Sequence, residues 1–149
     1  VPNFEYLERL EVKEGATADY VLDDINPEAP PVLTLLPAGP ANKTYNRAAM
    51  RRNRQFDALL AGKMTPKLIE ELREADVVLF AKHVIRGWKN VVDNDGKPVK
   101  FSVENAEAFF HALPTRFFDS IRAFAQNADN YVDGTLPDLA VMSGNSKVG

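Results

Sequence analysis

Apolar and polar residues alternate at the start of the chain. Phe4, Tyr6, Leu10 and Val12 fall on even positions and Glu5, Arg9 and Glu11 on odd ones, which predicts a half-buried strand interrupted at Leu7-Glu8. Asn26, Pro27, Pro30 and Pro31 then read as a turn-rich connector. Val32-Leu33-Thr34-Leu35-Leu36 reads as a second short strand, stopped by Pro37, Gly39 and Pro40. Two strands alone are marginal in water, so they require a covering helix or a partner.

From residue 44 the period lengthens to that of helices. The first is expected from Thr44 to Ala61, with Tyr45, Ala48, Ala49, Phe56, Leu59 and Leu60 on its apolar side and Gly62 ending it. Thr65-Pro66 supplies an N-cap and a first-turn proline for a second helix, expected from Pro66 to about Trp88. Its stretch Val77-Val78-Leu79-Phe80-Ala81 is apolar on all sides, which places it at the centre of a bundle. Asp93-Asn94-Asp95-Gly96-Lys97-Pro98, between Val91-Val92 and Val99, predicts a short hairpin. Ser102 caps a third helix over Val103–Leu113. After Pro114 a fourth runs to about Tyr131, with Phe117, Phe118, Ile121, Phe124, Ala128 and Tyr131 on one side.

The expected fold is therefore mainly α (α+β): a bundle of about four helices with a small N-terminal β element and a short hairpin. It forms one domain over 1–132, with a β-containing segment over 1–40 and helices over 44–131. Residues 133–149 read as a flexible C-terminal tail, with Leu139-Ala140-Val141-Met142 its single apolar stretch.

Composition narrows the class. With 149 residues, 45% hydrophobic and 26% charged, the chain matches an ordinary soluble globular domain. No apolar run is long enough to span a bilayer, and the acidic N-terminus is unlike a signal peptide, so a cytoplasmic location is expected. The absence of cysteine excludes disulfides, thiolate metal sites and a cysteine nucleophile.

The net charge of −3 hides a polarised distribution. Residues 5–28 hold eight acids against Arg9 and Lys13, and residues 43–67 hold seven bases against Asp57. One segment is thus about −6 and the next about +6, which allows internal pairing, self-association between copies, or simply two solvated faces, with self-association the expectation.

The candidate chemistry is sparse. His83 and His111 sit on separate helices and read as helix-face residues rather than metal ligands. Asp93, Asp95 and Gly96 suggest a calcium loop, but aligning Gly96 with loop position six puts Val91 first and Ser102 twelfth, where carboxylates are needed. Phosphate-cradling glycine motifs and a nucleophile elbow are both missing from the sequence. The expectation is a chain without catalysis, metal, cofactor or small-molecule substrate.

The strongest surface feature is basic. Arg47 and Arg51, four apart, share a helix face with Arg54, and Arg52 adds a fourth guanidinium. Arginine's planar fork suits carboxylate or phosphate. The acidic net charge and the lack of interleaved aromatics favour an acidic protein partner over nucleic acid. Trp88, the single tryptophan, reads as a plug at a helix end and, second, as an interface anchor, so the candidate partner-binding set is Arg47, Arg51, Arg52, Arg54 and Trp88.

Two stretches carry a family likeness. Leu33 to Ala48, with Asn42-Lys43-Thr44-Tyr45 opening a helix, resembles the corresponding segment of bacteriophage tail assembly proteins. The series Trp88, Asp95-Gly96, Ser102 and Leu113-Pro114 before a final amphipathic helix is similar to theirs as well, so the likeness covers residues 32–131. The resemblance implies a tail assembly chaperone of a phage or prophage, acting in the bacterial host cytoplasm. Such a protein would bind the tape-measure protein and help recruit tail-tube subunits, with no catalytic residues to carry over. Two alternatives accompany it: a structural minor tail or connector component of the virion, and a small nucleic-acid-binding regulator using the arginines.

Overall fold

The computed structural model of the chain describes residues 1–132; the expected tail over 133–149 lies outside them. Strands β1 (Ala18–Val21), β2 (Val32–Leu35) and β3 (Ile85–Lys89) form one antiparallel sheet in the order β1-β2-β3. Helices α1 (Lys43–Leu60), α2 (Pro66–His83), α3 (Val103–Ala112) and α4 (Thr115–Gln126) make up most of the rest, so the α+β reading holds.

Several expected boundaries hold because their caps are written in the sequence. Thr65 accepts from the Leu68 amide and Ser102 from the Asn105 amide, as N-caps should. The α1 cap does more. Asn42 is the buried polar residue of the described core; its Oδ1 accepts from the Tyr45 amide at 3.2 Å and its Nδ2 donates to the His83 carbonyl at 2.8 Å. One side chain therefore satisfies the first turn of α1 and the last turn of α2.

Three expectations are corrected. Phe4–Val12 is no strand: Glu5–Leu10 forms a 3-10 helix with none of its residues buried. The connector contains β1, whose register sets Tyr20 opposite Leu33. And α2 stops at His83 rather than near Trp88, because Val84-Ile85 is a β-branched pair that favours a strand once β2 offers a pairing edge. The Asp93–Lys97 turn is present as expected, closed by an isolated Val92–Pro98 bridge and by the Val99 amide on the Val91 carbonyl. The fourth helix ends at Gln126, and a separate 3-10 turn covers Ala128–Tyr131.

Beta3 is bulged. Leu35 pairs with Ile85 and Thr34 with Gly87, which leaves Arg86 as an extra residue. The insertion shifts the alternation by one, so that Ile85 and Trp88, three apart, both face the side on which Leu35 and Leu33 are fully buried.

Alpha2 runs through the middle of the helical layer. Phe80, fully buried, meets Tyr45 of α1 edge-on at 5.9 Å between centroids and Phe118 of α4 at 5.5 Å; Phe118 in turn meets Phe110 of α3 at 5.3 Å. Tyr20 of β1 meets Phe124 at 5.1 Å, which joins the sheet to α4. None of the helices of the described residues is long and apolar enough to cross a membrane.

Candidate interaction surface

The five candidate residues divide in two. Arg47, Arg51 and Arg54 are exposed on α1, with exposed Met50 among them. Arg52 is partly buried and forms an ion pair with Asp76 of α2. Asp76, its side chain 17% exposed, also takes Arg122 Nη1 at 3.1 Å, while Arg122 Nη2 reaches Asp119 Oδ1 at 2.9 Å. Arg52 thus belongs to a network that ties α1, α2 and α4 together.

Trp88 is also engaged internally. Its indole Nε1 donates to the Val99 carbonyl at 2.9 Å, and its ring meets Phe101 at 5.3 Å and Phe109 at 5.5 Å, both edge-on. It holds the Asp93–Lys97 turn and α3 against β3. Donor and ring are both engaged within the chain, as the plug reading expects of them.

Between α1 and α2 runs a groove of about 360 Å³ lined by Ala48, Arg51, Arg52, Gln55, Ala75, Val78, Leu79, Lys82 and His83. Ala48, Ala75, Val78 and Leu79 make the floor apolar, and Arg51, Lys82 and His83 make the rim basic. Burial, with Lys82 and Arg51 nearby, holds the His83 imidazole below its usual range, so at neutral pH the rim charge comes from the arginine and lysine.

The acidic segment does not neutralise this surface. Among the described residues, its ion pair with the basic segment is Glu14–Lys43, at 3.8 Å with both side chains about 70% exposed. Such a contact contributes little. The Glu5–Leu10 helix carries Phe4, Leu7 and Leu10 at a spacing of three; because a 3-10 helix has three residues per turn, they form one stripe, and all three are exposed. Glu5, Glu8 and Glu11 form an acidic row beside it by the same spacing.

Sequence reading missed one grouping. His111 Nε2 lies 3.0 Å from Glu74 Oε1 and 3.9 Å from Glu107 Oε1, and the three ligand atoms lie within 4.8 Å of one another. Glu107 was legible at four residues' separation on α3, but Glu74 arrives from α2 through tertiary packing. The close contact with Glu74 accounts for the geometry, and Glu74 and His111 are exposed. A second cleft, of about 480 Å³, lies between Glu11-Val12, the Pro37–Ala41 loop and the end of α4; its walls are mostly small apolar residues, with Glu11, Glu14, Lys43 and Gln126 also lining it.

Comparison with known proteins adds one positive finding. A family model described as the YdaY prophage protein matches residues 40–140, an interval that contains α1 to α4 and β3. No curated protein and no solved structure matches.

Proposed function

We propose, from the premise that this chain belongs to the YdaY prophage protein family and is therefore phage-derived, that it is a tail assembly chaperone acting in the host cytoplasm. In this role it binds the tape-measure protein and helps bring tail-tube subunits to it. The carrying observation is that the prophage match over 40–140 coincides with the stretch, residues 32–131, that resembles tail assembly proteins.

The surface is compatible with holding a helical client transiently. Arg47, Met50 and Arg54 form an exposed mixed ridge on α1 that does not line the groove. Leu59, Met64 and Ile69, each about half exposed, continue apolar surface around the α1–α2 connection. Methionine and arginine suit adaptable contacts with a repetitive partner. Scattered apolar groups of this kind favour weak, many-copy binding over one permanent interface.

The test is co-expression with the tape-measure protein encoded by the same phage. A soluble complex that Arg47→Glu with Arg54→Glu weakens, together with absence of the chain from purified particles by mass spectrometry, is the expected result. Stoichiometric recovery in the particles would transfer the assignment to a structural tail component. Failure to form any complex would remove the chaperone reading.

A further inference from the structure

We infer that the protein self-associates by seating the N-terminal 3-10 helix of one copy in the α1–α2 groove of another. The inference does not depend on the identity of any client.

Two unpartnered features of the same chain are complementary in both hydrophobicity and charge. The N-terminal helix offers an apolar stripe, Phe4, Leu7 and Leu10, with an acidic row, Glu5, Glu8 and Glu11. The groove offers an apolar floor, Ala48, Ala75, Val78 and Leu79, with Arg51 and Lys82 on its rim. Stripe meets floor and row meets rim in one docking mode. Both sides are short of internal partners: no residue of the N-terminal helix is buried, and Arg51 and Lys82 are exposed and form no ion pair among the described residues. The helix leads into Glu11, Val12 and Glu14, which line a cleft with the Pro37–Ala41 loop, and its stripe is exposed to solvent.

A second copy is the favoured occupant because the chain carries both halves in fixed one-to-one ratio. Burying the stripe removes apolar area from water, which supplies affinity. The charges set register and raise the encounter rate. Exposed charges are screened beyond about 8 Å at physiological salt, so the association weakens as salt rises.

The experiment is sedimentation velocity on the full chain at low ionic strength, with two charge-reversed proteins. In the first, Glu5, Glu8 and Glu11 are each replaced by Lys; in the second, Arg51→Glu is combined with Lys82→Glu. Each alone sets like charges together and is expected to be monomeric, with association at least about tenfold weaker, equivalent to about 1.4 kcal/mol. Mixed in equal amounts, their contacts are complementary again in both directions, and the mixture is expected to regain the mass of the wild-type assembly. Circular dichroism confirms that each protein is folded. Leu7→Asp gives an independent check, since Leu7 packs into no core and its replacement acts on the stripe alone. A wild-type chain that stays monomeric would overturn the inference, whether its own helix folds back into its groove or the groove stays open. So would variants that keep the wild-type mass, or a mixture that fails to reassociate.

Discussion

Replacing Asn42 with Ala removes a residue that serves two helices at once. The acceptor Oδ1 caps α1 through the Tyr45 amide, and loss of an N-cap of this type costs about 1 kcal/mol. The donor Nδ2 holds the His83 carbonyl at the end of α2, and loss of such a bond costs about another 1 kcal/mol. Asn42 is 7% exposed, so water does not readily replace either partner, and a total of about 2–3 kcal/mol follows. For a chain of this size that corresponds to a fall in Tm of roughly 5–12 °C. Asn42→Ser separates the two halves: serine retains a capping oxygen but cannot reach His83, so it should recover about 1 kcal/mol. Urea unfolding followed by circular dichroism, with unchanged slope, measures both. If Asn42→Ala were as stable as the parent, or Asn42→Ser were no better than Asn42→Ala, the dual-cap account would be wrong.

Other outcomes follow from the same contacts. Asp76→Ala should destabilise by about 2–4 kcal/mol, because it strands two arginines, Arg52 and Arg122, in a partly buried site; in a double-mutant cycle, Arg52→Ala should cost much less on that background than on the parent. Trp88→Phe should cost about 1–2 kcal/mol through the lost bond to Val99 and lost packing on Phe101 and Phe109, and hydrogen exchange should rise first in the Asp93–Lys97 turn. Tyr131 donates to the Leu36 carbonyl at 3.1 Å, and burial pushes its phenol up to about 12. The folded state thus favours the neutral phenol, so its contribution is complete below the unfolded value near 10 and fades as pH rises toward about 12. Stability curves of the parent and Tyr131→Phe should converge over that interval; parallel curves would contradict the assignment.

The sequence made the helices legible where cap and period agree. Asn42 before α1, Thr65-Pro66 before α2 and Ser102 before α3 are local signals, and each appears in the structure as a side chain on a backbone amide. The sheet was legible in β2 alone. Beta1 is four residues ahead of a proline-rich stretch, too short for alternation to stand out. Beta3 follows α2 directly, with no proline or glycine between His83 and Ile85, so helix and strand could be separated only by knowing that β2 lay alongside. At the N-terminus, Phe4, Tyr6, Leu10 and Val12 suggested a period of two, while Phe4, Leu7 and Leu10 carried the period of three that the chain adopts. The basic face was readable from spacing, but Arg52 was not separable from its neighbours, since its partner Asp76 lies on another helix.

The edge-to-face rings running from Tyr45 through Phe80 and Phe118 to Phe110 take one aromatic from each of the four helices. No helix can leave that chain without opening a ring contact with a neighbour, which couples the four helices and favours cooperative melting of the body. The segment before β1, by contrast, contributes nothing to the buried core and can change neighbours while everything behind it stays folded.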